Sequence, residues 1–252
     1  MYDLQKPNIW KRISAYLFDL ILICIAIVGF ALLISNIIGY DAYLDELEVI
    51  SDAYETEYNV DFNIPTEEYD KLTPEEKEPF IKADEAFSKD ERANYVYGMI
   101  INCTFIIIVF GILLGFLVFE FVVPLILKNG QTLGKKVFGV GVMREDGVKI
   151  TPMLLFIRTV LGKYTVETMI PVLLLIMVYL GVIDIVGIIV ILGIFVAQLA
   201  FIFTTRTRTA LHDVISRTVT VDIASQMIFD TPEALLAYKQ KIHEEAVNSE
   251  KE

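Results

Sequence analysis

Three long stretches of this chain are almost free of charge, and each is long enough to cross a lipid bilayer. Residues 13–40, 94–127 and 168–205 each contain a single Asp, Glu, Lys or Arg: Asp19, Glu120 and Asp184 respectively. A helix needs about 20 apolar residues to span ~30 Å of hydrocarbon. A soluble chain of 252 residues has enough length to bury a sizeable core, but here the apolar residues are concentrated in runs. The expected fold class is an all-α membrane protein: a four-transmembrane-helix bundle with a small cytoplasmic β-hairpin and an extracytoplasmic acidic insert. The first run is not read as a cleaved signal peptide. It is too long for an apolar signal region, contains Asp19, and lacks a small-residue cleavage motif after it.

These runs divide the chain. Residues 1–39 are a polar lead, with Trp10 as an interfacial anchor, and a first transmembrane helix from about Ile13 to Ile38. Residues 40–93 form a hydrophilic insert with 18 Asp/Glu against 5 Lys/Arg. The remainder has 15 acids and 16 bases, so the net charge of -12 belongs to the insert. No basic face is available for nucleic acid, which excludes that partner. Within the insert, Thr73-Pro74-Glu75-Glu76 reads as a helix start, with Thr73 as cap. Its aromatic and apolar residues (Tyr43, Leu47, Tyr54, Phe62, Tyr69, Phe80, Phe87) form either a small packed cap or part of a solvated acidic loop.

Residues 94–127 are the second transmembrane helix, with a bend expected at Pro124. Residues 128–166 hold a predicted hairpin, Val137–Met143 and Val148–Ile150, about an Asp146-Gly147 turn. Arg217–Ile223 is a candidate third strand. An interfacial helix, Met153–Tyr164, carries Arg158 and Lys163. Residues 167–205 are too long for one span and read as helices three and four, joined by a turn around Gly181–Gly187. The alternative is one bent helix and three spans. Residues 206–252 are a C-terminal segment with a helix starting near Asp230-Thr231-Pro232.

Orientation follows from the basic residues. Lys6, Lys11 and Arg12 precede the first helix, five bases lie in 128–152, and Arg206, Arg208 and Arg217 follow the last run. All three regions are expected in the cytoplasm, with the insert outside. Returning Arg206 and Arg208 to the cytoplasm requires an even number of spans. The expected location is the cell membrane, multi-pass, with both termini cytoplasmic.

Ionisable groups at membrane depth are costly and usually face protein or water. Asp19 follows Arg12 by seven residues, so both share one helix face, about 10 Å apart. Glu120 precedes Lys128 by eight residues on a helix running the other way, which puts it roughly 12 Å below the same boundary. Two carboxylates at one depth in low dielectric do not both ionise easily, so one keeps a proton or a cation binds between them. The competing expectation is that they pair with Arg12 or Arg158 and lock helices together. Gly111 and Gly115 have the small-xxx-small spacing of close helix approach, a weak hint of dimerisation.

Other chemistries find little support. Cys24 and Cys103 fall at different depths, which argues against a disulfide. His212 and His243 lack metal-ligand spacing, and no cofactor motif is present. Gly130-Gln-Thr-Leu-Gly134-Lys135 is one residue short of a phosphate loop and is followed by Lys136. No nucleophile elbow or paired catalytic His marks an enzyme.

Three separated blocks do match a known pattern. Lys11-Arg12-Ile-Ser-Ala15-Tyr-Leu-Phe-Asp19 opens the first helix. Gly130-Gln-Thr-Leu-Gly-Lys-Lys-Val-Phe-Gly-Val-Gly-Val142 follows the second. Ala210-Leu-His-Asp213, then Arg217-Thr-Val-Thr-Val221, closes the series. In this order they resemble the RDD family of membrane proteins, named for an arginine and two aspartates. The resemblance implies that Arg12 is the family arginine, Asp19 the first aspartate and Asp213 the second, and Glu120 matches an acid often found before the second block. It also implies transport of ions or small solutes, as proposed for the family. The long insert and the Asp184 hairpin depart from typical members and leave any shared substrate or partner open.

Two functions follow as expectations. In the first, Arg12, Asp19, Glu120 and Asp213 form a cytoplasm-facing ion- or proton-binding site for cation/proton exchange, in a homo-oligomer because four helices are few for a transporter. In the second, the chain is a non-transporting scaffold that recruits a protein partner through residues 40–93.

Overall fold

A computed structural model describes residues 4–127, 129–183, 185–204 and 210–249. Lys128, Asp184, Arg206 and Arg208, used above for depth, turn and orientation, lie outside the described residues. The chain divides into two compact units, 28–111 on the one hand and 1–27 with 112–252 on the other.

Among the described residues, three helices are long and apolar enough to cross a bilayer: α1 (Ile9–Ile38), α5 (Glu91–Leu127) and α7 (Pro152–Tyr179). Between the first two come α2 (Tyr40–Tyr58), α3 (Thr66–Tyr69) and α4 (Pro74–Lys89). A short helix, α6 (Leu133–Val137), and strand β1 (Val140–Arg144) precede α7. After α7 come the apolar helix α8 (Ile185–Thr204), α9 (Leu211–Ser216), strand β2 (Thr218–Asp222) and α10 (Pro232–Ser249). The family of elements is that of a helical membrane protein.

In the unit spanning 28–111, the insert is helical. Gly39, at φ +69°, breaks the path between α1 and α2. Thr73 and Glu76 form the reciprocal cap expected from the sequence, with Glu76 N donating to Thr73 Oγ1 and Thr73 N to Glu76 Oε2. The aromatic residues pack: Phe87 sits 5.6 Å from Tyr54 and 6.0 Å from Phe62, and Phe80 sits 5.5 Å from Tyr69, ring centre to ring centre. Asp90 caps α5 by accepting from the amides of Arg92 (2.7 Å) and Ala93 (2.9 Å), and the Tyr54 hydroxyl donates to its other oxygen.

In the other unit, α1 buries one narrow stripe, Ala15, Asp19 and Ile23, at a four-residue spacing. Other apolar side chains on it, among them Leu17, Ile21 and Ile25, are exposed, as suits a helix surface facing lipid. Gly115 lies against this stripe: a Cβ there would meet Ile27 Cγ1 at 2.7 Å. The glycine therefore serves close packing of α5 on α1 within one chain.

Helices α5 and α7 each contain a widened segment with i→i+5 bonding, Leu117–Val122 and Ile157–Met169. Pro124 explains part of the first. It has no N–H for the carbonyl of Glu120, and the Thr159 hydroxyl donates to that carbonyl instead, at 2.8 Å.

The β structure differs from the predicted hairpin. The Arg144–Gly147 turn is present, with Gly147 N donating to Arg144 O at 3.0 Å. However, β1 pairs along its length with β2, antiparallel, from Val140↔Asp222 to Arg144↔Thr218. Of the hairpin partner strand, only a single bridge, Met143↔Lys149, is seen. Val137, expected to begin the first strand, instead ends a short helix, residues 133–137, that Thr132 caps, and the strand begins at Val140. Met143, Val219 and Val221 form a small buried core with Leu4 and Ile228 against it. The predicted interfacial helix over 153–164 is the first part of the continuous α7, which ends at Tyr179, and Gly181, at φ +67°, follows it before α8.

Candidate functional site

The charged residues of the unit formed by 1–27 and 112–252 converge from five elements. α1 supplies Asp19, and the wide segment of α5 supplies Glu120. α6 supplies Lys135, the wide segment of α7 supplies Arg158, Lys163 and Glu167, and α9 supplies His212 and Asp213. Asp19, Glu120, Arg158 and Asp213 are each no more than 4 % exposed.

Asp19 holds the loop that follows α5. The Thr132 hydroxyl donates to its Oδ2, and the Gly134 amide donates to Oδ1 at 2.7 Å. Thr132 also caps α6 by accepting from Lys135 N at 3.3 Å. This contact explains three residues of the second block at once. Threonine gives the hydroxyl, the glycine lets the backbone reach the helix, and the lysine is thereby placed. A Cβ on Gly134 would lie 2.3 Å from the carbonyl oxygen of Ala15, so position 134 has no room for a side chain.

Asp213 is paired with Arg158. The guanidinium donates twice to Oδ1, from Nε at 3.0 Å and from Nη2 at 2.8 Å, and Thr218 Oγ1 donates to the same oxygen at 3.2 Å. Oδ2 accepts from the Ala210 amide at 3.3 Å, closing the start of α9. Burial works to raise the Asp213 pKa, but Arg158 and His212 outweigh it and hold the carboxyl below the usual carboxylate range. Next to it, His212 Nδ1 donates to the Glu167 carboxylate, whose two oxygens both lie at 2.9 Å, and its backbone amide donates to Oε1. Burial pushes the His212 pKa down, more strongly than Asp213 and Glu167 push it up. Gly162 permits this arrangement, since a Cβ there would meet His212 Cβ at 2.6 Å.

Glu120 is held differently. Lys163 donates to Oε1. Oε2 faces Lys135 Nζ at 3.9 Å, a charge pair too long for a hydrogen bond. Both atoms are buried, and neither makes a hydrogen bond among the described residues. Burial, with Lys163 and Arg158 close by, lowers the Lys135 pKa to about 7, against the opposing pull of Glu120 and Asp19.

Of the residues singled out from sequence, Asp19, Glu120 and Asp213 therefore lie in one charged cluster, but each has its own partners. Asp19 engages the loop, Glu120 the two lysines, and Asp213 the arginine. Arg158 pairs with Asp213, where the locking alternative paired it with Asp19 or Glu120. Arg12 is half-buried two turns before Asp19 on α1. Lys135, Lys163, Glu167 and His212 complete the cluster and were not selected from the sequence. One signal was available for two of them: Lys163 and Glu167 sit four residues apart on a run otherwise bound for the membrane.

The chain matched no curated protein and no solved structure. The family model described as RDD matches residues 6–217. That interval contains α1, the loop held by Asp19, and the Arg158–Asp213 pair, and the chain belongs to the RDD family.

Proposed function

We propose that this protein crosses the membrane four times, keeps both termini in the cytoplasm, and transports ions or small solutes by exchanging a cation for a proton at its membrane carboxylates. One observation carries the reading: the buried Glu120 Oε2 and Lys135 Nζ, 3.9 Å apart and without hydrogen bonds among the described residues. A buried, unpaired polar atom costs about 1–3 kcal/mol, more when charged. A protein retains such a cost at a functional site. A carboxylate oxygen beside an ammonium can accept a small cation only if positive charge leaves, which is the elementary requirement of exchange. Asp19 enters this reading as the residue that positions the loop carrying Lys135, and Glu120 as the ligand. Arg158–Asp213 supports the wall behind them.

The test is flux in proteoliposomes loaded with a pH-sensitive dye and given Na⁺, K⁺ or Li⁺ outside. The wild type moves protons in response to one of these cations. Glu120→Gln abolishes that movement, and so does Asp19→Asn, through displacement of the loop. A folded, oriented wild type that moves no protons with any of the three removes the transport reading.

A scaffold role is the second reading, favoured by the packed helical insert with its outward acidic residues. Replacing residues 45–90 by a short linker separates the two. Flux survives the replacement if the cluster does the work, and recovery of a basic protein partner is lost if the insert does.

A further inference from the structure

We infer that the insert between α1 and α5 holds a pocket for an arginine side chain of a basic protein partner, walled by Phe62, Tyr69 and Phe80 and fringed by the carboxylates of Asp84 and Glu85. The inference deepens the scaffold reading above and rests on it. The pocket lies wholly within the unit spanning 28–111. Three short pieces of chain build it. In the loop after α2, Asn59 ends the helix at φ +53°, and the Phe62 amide donates to Glu55 Oε1 at 2.7 Å while its ring lies 6.0 Å from that of Phe87. α3 adds Tyr69, whose ring meets Phe80 edge to face. On α4, Phe80, Ile81, Asp84 and Glu85 fall at a spacing that puts them on one face. The cavity they enclose measures about 510 Å³, within the range of about 300–1,000 Å³ usual for ligand sites.

The walls select a cation with an apolar body. The face of an aromatic ring attracts positive charge, most often that of arginine. A planar guanidinium can lie on a ring and still donate to a carboxylate at its edge. Tyr69 already holds one cation of its own chain: Lys77 Nζ sits 5.0 Å from the ring centre, and Lys77 does not line the cavity. The carboxylates at the rim are exposed and available. Asp84 enters no ion pair among the described residues, and Glu85 has only an exposed contact with Lys89 at 3.5 Å, which costs little to give up. The surrounding charge argues for a partner with several positive charges. Residues 40–93 carry 18 acids against 5 bases, and three of those bases, Lys82, Lys89 and Arg92, are paired within the insert. Such a surplus steers a polybasic surface far more strongly than a monocation.

The test is fluorescence anisotropy of a labelled peptide of alternating arginine and glycine, titrated with the full-length protein in detergent. Asp84→Asn with Glu85→Gln should weaken binding about fivefold or more, and so should Phe80→Leu, which keeps an apolar side chain but removes the ring face. Asp45→Asn with Glu48→Gln removes the same charge from exposed positions on α2 outside the pocket, and should change binding by less than about twofold. Equal losses in the two charge pairs overturn the pocket and leave only general attraction to an acidic surface. A lysine–glycine peptide of the same length and charge should bind more weakly, and equal binding overturns the choice of arginine. Free arginine amide that competes as well as the peptide, mole for mole, makes the site one for a small cation and overturns the protein partner. The scaffold reading is scored separately, by recovery of a basic partner with and without residues 45–90. Pocket variants that keep the partner, where the insert replacement loses it, overturn the pocket alone. Recovery unchanged by the replacement overturns the scaffold reading, and peptide binding that still depends on the pocket then supports the arginine site by itself.

Discussion

At the scale of single residues, the Arg158–Asp213 pair is the most deeply buried charge contact in the described structure, at 2 % and 1 % side-chain exposure. Removing one partner leaves an uncompensated charge, whereas removing both leaves a well-shaped apolar contact. Arg158→Met should therefore lower stability by about 3–5 kcal/mol, and Arg158→Met with Asp213→Leu should recover much of it. Melting of the detergent-solubilised protein, arranged as a double-mutant cycle, checks this. A single variant that melts with the wild type would show that the pair contributes nothing. The pH dependence has a defined sign. The Asp213 carboxyl is held below its ordinary value, so its contribution is complete above the unfolded carboxylate value of ~3.9 and is lost as pH falls through the folded one. Sequence reasoning found Asp19 and Glu120 because a carboxylate in an apolar run is conspicuous, and Asp213 only through the resemblance to the RDD family. It could not pair them. Helical rise gives depth and says nothing of azimuth, and Lys135 and Lys163 lie on segments whose path only tertiary structure sets.

At the scale of elements, close approach governs where the cluster can form. α6 rests on α1 through Gly134, and α9 rests on the wide segment of α7 through Gly162. Gly134→Ala and Gly162→Ala should each cost about 1–3 kcal/mol by overpacking. Gly98→Ala, within α5 where an added Cβ meets nothing within 4 Å, should be neutral or gain about 0.5–1 kcal/mol from lower chain entropy. Thermal melting of the three variants side by side gives the ranking, and equal effects at all three positions would remove the close-packing account. The apolar helices were legible because an uncharged run of this length has few other uses. The capping box at Thr73 was legible because it is local. The strand pairing was legible in part: Arg217–Ile223 was a candidate third strand and supplies Thr218–Asp222, but the hairpin partner across the Asp146-Gly147 turn is reduced to a bridge because Thr218–Asp222, with its buried valines, takes the ladder. The start of the strand, placed at Val137, was also missed, because Val137 ends a helical turn whose cap, Thr132, is held by an aspartate far away in sequence.

At the scale of the whole molecule, the open question is whether α8 crosses the bilayer. Its described length is 20 residues, about 30 Å at 1.5 Å per residue, which matches the hydrocarbon thickness with little to spare. The apolar part alone, Ile185–Phe201, is shorter, but a modest mismatch is absorbed by bilayer thinning or flanking residues. In sequence, Arg206 and Arg208 follow directly, and basic residues at a helix end favour the cytoplasmic side. Four spans then put the turn after α7 on the opposite face from α10. Single cysteines in a Cys24→Ser, Cys103→Ser background decide it: Glu67→Cys in the insert, Val182→Cys in the turn, where Val182 is 66 % exposed, and Glu244→Cys on α10. A membrane-impermeant maleimide applied to intact cells should label the first two and reach the third only after permeabilisation. If Val182→Cys and Glu244→Cys label together, α8 does not cross. The cluster would then have only three helices to shelter it, and a second copy of the chain would have to complete its wall.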